Sequence, residues 1–506
     1  MHLVKNFVLK YKFEILISAI LISLYFLTRF YRIMSLPIFT DEAIYVRWSQ
    51  IARQDASWRF ISLTDGKQPM FVWIAMNLMR FVGDPLLASR FVSVFAGFFS
   101  MIGLFLLGRE IFKNRFIGFI SSMLYLVFPF ALVYDRMALY DSLVGMFAVW
   151  SLYFEIILVR KLKPDMSFVL GMILGGGILT KTSGFFSIYL IPFTLLLFDF
   201  SKQKLTIRFL RWVVLFALSV ALAYAYYSVL RLSPFFYIIN EKNTLFVYSF
   251  KEWLIHPFTY LYSNFSGLWN WFITYMTWPV FLLVILSFII NFKFLREKLL
   301  LLIWFLIPFV ALVFFGKNLY PRFIFFMTLF LLPLAAFSIY EIYTKIKIKL
   351  ASIVIILAFM VLFIRSDYYI LTDFARAPIA DPDLGQYIND WPAGGGLKEA
   401  VNYLDKESKT GKIYVASLGT FGSNSTLSVE IYLGKNRNIN KRGIYPVPSV
   451  IPFDLLEKAK YMPVYLIVSN QKEFEDQLKT WPLEQVLKIR KGERNVFTWL
   501  YKIKTS

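Results

Sequence analysis

The chain of 506 residues has no cysteine and only two histidines. The first absence excludes disulfide scaffolds, thiolate metal sites and cysteine nucleophiles, and the second leaves little from which to build a histidine-rich metal centre. Acidic residues are scarce as well: 32 Asp and Glu stand against 54 Lys and Arg, a formal net charge of +22. Apolar residues dominate instead, at 58% of the chain with 55 phenylalanines, where a soluble globular chain holds about 45–50%. A mean hydropathy of +0.60 excludes disorder, and it excludes a conventional nucleic-acid module despite the basic balance. Such a composition calls for a lipid bilayer as solvent.

Apolar runs long enough to cross about 30 Å of hydrocarbon at about 1.5 Å per residue recur through the first 365 positions. Eleven are expected as spans: 13–33, 85–107, 116–134, 139–159, 166–181, 184–200, 209–230, 271–292, 299–315, 322–343 and 350–365. A shorter stretch, 69–82, contains Arg80 and reads as a partly embedded helix. Every second gap is basic. Lys5, Lys10 and Lys12 precede the first span; Arg109, Lys113 and Arg115 follow the second; Arg160, Lys161 and Lys163 follow the fourth. Lys202, Lys204, Arg208 and Arg211 follow the sixth, Lys293, Arg296 and Lys298 the eighth, and Lys345, Lys347 and Lys349 the tenth. Short basic loops stay in the cytoplasm. The N-terminus is therefore expected inside, with the loops 34–84, 135–138, 231–270 and 316–321 and the tail outside. The first span lacks a small-residue cleavage site and ends near Arg29 and Arg32, so it is expected to be a retained anchor.

Beyond 365 the apolar runs shrink to strand length, as in KIYVASL (412–418), PVYLIVS (463–469) and VFTWLYKI (496–503). The expected fold is thus an α-helical multi-span membrane protein, residues 1–365 forming the membrane domain and 366–506 an extracytoplasmic α/β domain. Gly394, Gly395 and Gly396 open a helix-like segment of that domain. A phosphate cradle is conceivable there, but the lysine–serine/threonine pair of a phosphate loop is missing, and a plain loop-to-helix turn is expected.

Carboxylates near bilayer depth are expensive, so their positions carry information. FTDEAIYVRW places Asp41 and Glu42 side by side after the first span, followed by Tyr45 and Arg47. The same loop ends in DGKQPMFVW, which brings Lys67 to the interface, and Asp135, Arg136 and Asp141 bracket the short turn between spans three and four. Arg90 lies just inside span two, Lys181 ends span five in ILTKTSGF, and Lys317, Tyr320 and Arg322 belong to GKNLYPRF. Any one of these cations could be a snorkelling anchor. Together, cations ringed around carboxylates suit a departing phosphate beside a carboxylate that deprotonates or orients an acceptor.

In that order DEAIY (41–45), GKQPMF (66–71), SRFVSVFAG (89–97), DRMALYDSL (135–143), LTKTSG (179–184) and YPRFIFF (320–326) resemble the GT-C superfamily of integral-membrane glycosyltransferases. The likeness is to its protein O-mannosyltransferase and aminoarabinose (lipid A) transferase branch. The tail segment 385–404 with GTFG (419–422) looks like the extracellular domain appended to some members. The resemblance implies inverting transfer of a monosaccharide from a polyprenyl-phosphate sugar to a protein hydroxyl, a lipid or a cell-envelope glycan, on the non-cytoplasmic face. By the same resemblance Asp41 is the catalytic carboxylate, Glu42 beside it shapes the donor-phosphate or acceptor region, Asp141 holds the site's second carboxylate position, and the three count as catalytic residues. Lys67, Arg136 and Arg322 become donor-phosphate contacts, with Tyr45, Arg90, Lys181, Lys317 and Tyr320 around the substrate. Gln68 departs from the branch, which has proline there. No cofactor and no catalytic metal is implied, although two acidic segments facing one site keep a divalent ion open.

The loop 231–270 and its border carry Trp253, His256, Tyr260, Tyr262, Trp269 and Trp271, which serve as interfacial anchors or close over a bound sugar. Two other readings compete with a monosaccharide transferase: an oligosaccharide ligase or oligosaccharyltransferase, and a polyprenyl-lipid transporter. The transporter is disfavoured because the chain shows no internal repeat and no clear mid-span carboxylate besides Glu155 near an inner end.

Overall fold

The computed structural model describes residues 10–201, 204–469 and 474–504; Lys5 and Lys202 of the basic pattern lie outside the described residues. Among these, seven helices are long and apolar enough to cross a membrane: Lys12–Ser35, Pro85–Phe112, Tyr140–Lys161, Leu205–Leu232, Leu295–Phe315, Arg322–Lys345 and Lys349–Thr372. The protein is a multi-pass membrane protein. Each of the seven helices realises one expected run, and the other four runs take different forms for local reasons.

Run 116–134 divides into Arg115–Leu126 and Pro129–Tyr134, with Phe128 extended between them, because a residue before proline is pushed out of the helical region. Run 166–181 is the 17-residue helix Pro164–Thr180. Run 184–200 breaks at Pro192 into Phe185–Tyr189 and the tighter turns of Ile191–Leu197. Run 271–292 belongs to two helices, Leu261–Met276 and Trp278–Ile289, that meet at 94°. Thr277 sits at the bend with φ 56°, and Pro279 follows within the first turn. The structure therefore has seven continuous spans, or eight with the bent pair taken as one, and three shorter apolar helices, in place of eleven uninterrupted crossings. Hydropathy counts apolar residues and does not register where proline interrupts the backbone.

Basic gaps gather at one end of the bundle. Arg115 pairs with Glu14, and Arg160 reaches both Glu110 (2.5 Å) and Glu297 (3.2 Å). At the opposite end the first loop, the segment 238–247, the turn 316–322 and the tail touch one another: Lys242 pairs with Asp65 at 2.6 Å, Val247 bridges Gly316, and Phe39 bridges Ala393.

The tail folds into a five-stranded sheet of order β2-β1-β3-β5-β4, formed by β1 (Ile413–Leu418), β2 (Ile439–Ile444), β3 (Val464–Val468), β4 (Leu483–Arg490) and β5 (Phe497–Ile503). β1 runs parallel to β2 and β3, while β5 is antiparallel to β3 and β4. Side chains alternate across the sheet, as the two-residue period of a strand requires. Ile413 and Val415 enter one core with Leu404 and Val429; Tyr414, Ala416 and Leu418 enter another with Leu455 and Trp499. The three apolar runs read from the sequence are the three inner strands. The two edge strands escape such a reading because they carry Lys441, Arg442, Glu484, Lys488 and Arg490, the charge that keeps an exposed edge from pairing with another chain.

The glycine run at 394–396 is a packed seam. A Cβ on Gly394 would lie 2.0 Å from the Ile38 carbonyl oxygen, and Gly396 adopts φ +83°, so the expected turn holds and the space of a phosphate cradle is filled by protein.

Candidate active site

The helix Thr40–Gln54 begins after extended Phe39, whose backbone N–H donates to the Glu42 carboxylate at 3.3 Å, the back-reaching half of a capping box. Neighbouring helical residues point about 100° apart, so the two adjacent acids part company. Glu42 turns inward. It accepts from Arg90 Nε (2.9 Å), Arg90 Nη2 (2.8 Å) and the Ala138 N–H (2.7 Å), and neither charged side chain of the pair has any exposed surface. Asp41 turns the other way and pairs with Arg322 Nη2 at 2.9 Å.

Arg322 forms part of the wall of a cavity of about 340 Å³, together with Tyr45, Lys67, Tyr140, Asp141 and Lys181. Asp141, in the first turn of Tyr140–Lys161, accepts from Lys181 Nζ at 2.7 Å. Lys67 Nζ sits 5.2 Å from the ring centroid of Phe246 and forms no hydrogen bond or ion pair among the described residues. Burial pushes its ammonium down to about 8; Asp41 opposes that shift, and Lys181 and Arg322 add to it. Burial, and then the Asp41 charge, hold the Tyr45 hydroxyl well above its ordinary value, so Tyr45 stays a donor. Two further groups here are buried without partners among the described residues, Arg322 Nη1 and the Tyr140 hydroxyl. Buried polar groups are ordinarily satisfied, so unpaired donors on Lys67, Arg322 and Tyr140 make this wall complementary to an oxygen-rich anion.

The structure therefore brings Asp41, Tyr45, Lys67, Asp141, Lys181 and Arg322 together. Tyr320 stands beside them, with its ring centroid 5.0 Å from the Arg322 guanidinium. Lys317 belongs to the rim, bonded to Glu252 (3.1 Å) and the Thr244 carbonyl (3.0 Å) over the ring of Tyr248.

It does not bring Glu42, Arg90 or Arg136 to the cavity. Besides Glu42, Arg90 donates to the carbonyls of Ile33 (2.6 Å) and Leu36 (3.1 Å), pinning the turn that leads to Asp41. Arg136 is buried and donates to the carbonyls of Tyr31 (2.8 Å) and Ile370 (3.2 Å). It thereby ties the ends of the first and last spanning helices, where carbonyls lack helical partners. Asp135 likewise lies in the interior, accepting from Ser142 Oγ (2.9 Å) and the Tyr125 hydroxyl (3.0 Å).

Sequence reasoning passed over Tyr140, Lys242, Asn243 and Phe246, all of which line the cavity. Tyr140 was hidden as the neighbour of Asp141. Lys242 arrives through a close approach: Gly66 has φ +64°, and a Cβ there would lie 2.5 Å from Cβ of Lys242. The Asp65-Gly66 dipeptide was the available signal for that turn. The aromatics singled out in the loop 231–270 do not line this cavity: Trp253 packs against Phe315 (5.4 Å) and Tyr260 against Tyr248 (5.5 Å), while Tyr262 is exposed. Among the described residues no group of three or more His, Asp and Glu is placed to hold a metal ion.

Residues 66–227 match the family described as dolichyl-phosphate-mannose-protein mannosyltransferase. Undecaprenyl phosphate-alpha-4-amino-4-deoxy-L-arabinose arabinosyl transferase of Wigglesworthia glossinidia brevipalpis is 28% identical over 198 residues, 37% of this chain and 34% of that protein. The aligned stretch thus spans about a third of the relative's length. Among solved structures, ArnT from Cupriavidus metallidurans, apo and bound to undecaprenyl phosphate, superposes with a TM-score of 0.57 over 97% of this chain and 98% of its own, at 13% identity. The oligosaccharyltransferase AglB from Archaeoglobus fulgidus reaches 0.52 over 94% and 73%, at 12% identity. At such identities the likeness shows a shared fold.

Proposed function

We propose that this membrane protein, which has the fold of the GT-C glycosyltransferase superfamily, transfers a monosaccharide from a polyprenyl-phosphate sugar to an acceptor, with inversion at the anomeric carbon. The observation that carries this reading is the Arg322 guanidinium: one nitrogen holds Asp41 and the other is buried and unpaired beside the equally unpaired Lys67. The donor phosphate occupies the space between them. As the anomeric bond breaks, charge accumulates on the departing phosphate, and preorganised cations stabilise it more in the transition state than in the ground state. Asp41, held against the cavity wall by Arg322, takes the proton of an acceptor hydroxyl; toward a phosphate acceptor it orients without deprotonating. The donor is already activated by its phosphate linkage, so the reading invokes no cofactor.

The name of the Wigglesworthia relative, the mannosyltransferase family match and the undecaprenyl phosphate in the ArnT structure support a polyprenyl-phosphate donor. A cavity of about 340 Å³ suits a single-sugar head group better than a preassembled chain. The basic gaps favour a cytoplasmic N-terminus, which puts the cavity and the C-terminal domain on the non-cytoplasmic side. The reading leaves three acceptor classes: protein hydroxyls, lipids and envelope glycans.

The test incubates purified protein in nanodiscs with a panel of undecaprenyl-phosphate monosaccharides and membrane extract, and reads labelled product by mass. Labelled product with release of undecaprenyl phosphate is expected from at least one donor. Absence of product from every single-sugar donor, with transfer from an oligosaccharide donor, overturns monosaccharide transfer.

A further inference from the structure

Asp41 is the second residue of its helix, and a helix's first turn is held by whatever satisfies its free N–H groups. The C-terminal domain supplies one such partner and braces the residues that precede the helix. Thr40 donates both its N–H (3.0 Å) and its Oγ1 (3.1 Å) to the Pro392 carbonyl. Asn424 Nδ2 donates to the same carbonyl (3.0 Å) and to the Ile38 carbonyl (3.1 Å). Asn424 is 2% exposed, and its Oδ1 is occupied by Ser428 Oγ at 3.3 Å. Phe39 forms an antiparallel bridge with Ala393, whose carbonyl accepts from buried Lys491 Nζ at 2.6 Å. Gly394 presses so close to the Ile38 carbonyl that no side chain fits there.

The hydrogen bonds of Asn424 and the 392–394 turn thus converge on residues 38–40, immediately before Asp41, while a second, buried set joins Asp383 and Tyr387 of the same part to Tyr134 and Tyr275. Polar contacts farther along the helix are partly exposed, as in the Arg47–Glu430 pair, whose side chains keep 23% and 31% of their surface.

We propose that the C-terminal domain is the positioning clamp of Asp41, with Asn424 as the positioning residue that ties residues 38–40 to the 392–394 turn. This rests on the reading of Asp41 as the acting carboxylate. Among the described residues Lys67 forms no hydrogen bond or ion pair with the clamp, and Arg322 meets it through its ion pair with Asp41 and the ring of Phe39, so loosening it displaces the carboxylate more than the phosphate-binding cations.

The experiment uses the full chain in nanodiscs and compares Asn424→Ala, the gentler Thr40→Val, and the surface control Glu430→Ala. Misplacing a reacting group by about 1 Å costs about 100-fold, so Asn424→Ala is expected to lower saturated turnover by about 10–100-fold. Affinity for undecaprenyl phosphate should fall by much less than turnover, because Lys67 is not joined to residues 38–40 and Arg322 keeps its place in the cavity wall. Amide hydrogen exchange over residues 40–43 should quicken, because local opening there is no longer opposed. Thr40→Val should move turnover and exchange in the same directions by less, and it carries the test if Asn424→Ala does not fold. Glu430→Ala should keep turnover within about twofold. Wild-type turnover and exchange in Asn424→Ala, or in Thr40→Val if that variant alone folds, overturn the clamp. An equal loss of turnover and phosphate affinity does the same. If wild type itself transfers no sugar, the proposed function fails, and the exchange measurement still decides the clamp.

Discussion

Arg322 Nη2 holds Asp41 at 2.9 Å while Nη1 of the same guanidinium, a few ångströms away, is buried without a partner. A carboxylate and an empty donor on one planar group make a site that is already charged and still able to accept an anion. Arg322→Lys keeps the charge and forfeits the fork. With hydrogen bonds to charged groups worth about 1.5–3 kcal/mol, the substitution is expected to weaken undecaprenyl phosphate binding by about 10–100-fold, read by equilibrium titration in nanodiscs. Wild-type affinity would remove Arg322 from the phosphate site.

Lys67 gives the site a pH limit. Its ammonium is pushed down to about 8 by burial, and only the protonated form attracts a phosphate. Affinity for undecaprenyl phosphate should therefore be full below that value and decline as pH rises through it. Lys67→Arg, charged at all these pH values, should show no such decline. A flat profile in wild type would contradict the assignment.

Glu42 and Arg90 make the opposite kind of pair, fully enclosed and bonded on every side. Removing one partner strands the other charge, at a cost of about 3–5 kcal/mol. Arg90→Leu is expected to lower the thermal unfolding midpoint sharply, whereas Asp41→Asn leaves it near wild type. Equal stability of Arg90→Leu and wild type would show that the pair is not structural.

Asp383, beyond the last spanning helix, accepts from the hydroxyls of Tyr134 (2.8 Å) and Tyr275. Burial raises its carboxyl to about 6, against the opposing effects of those tyrosines and Arg322. The folded state thus binds this proton more tightly than the unfolded chain does. The resulting stability is complete below the ordinary carboxylate range and is lost as pH rises through about 6. Asp383→Asn should flatten that part of the stability profile in thermal unfolding across this window. Parallel profiles for the two proteins would contradict it.

Much of this site was legible because membrane burial makes charge rare and therefore informative. Asp41, Lys67, Asp141, Lys181 and Arg322 stood out as charges at span ends, and the structure gathers them. What was not legible depends on direction and on backbone detail. Asp41 and Glu42 are adjacent in sequence, and only the helical turn decides that one pairs with Arg322 of the cavity wall and the other with Arg90 of the scaffold. Arg136 looks like a phosphate ligand from its motif, yet its two terminal nitrogens donate to the carbonyls of Ile370 and Tyr31, away from the cavity. Tyr140 matters through an unpaired hydroxyl, which no pattern of residue types reveals. In the fold, the apolar strands β1, β3 and β5 were evident, while the charged edges β2 and β4 carry no apolar run to mark them.

The account turns on Asp41 acting on the acceptor while Lys67 and Arg322 hold the phosphate. The direct measurement is the transfer rate and undecaprenyl phosphate affinity of Asp41→Asn beside wild type, in the same nanodiscs. Loss of a positioned general base costs about 10²–10⁴-fold, so transfer should fall by at least about 100-fold. Affinity should hold or increase, because a negative charge has left the site. Equal transfer by the two proteins would contradict the account.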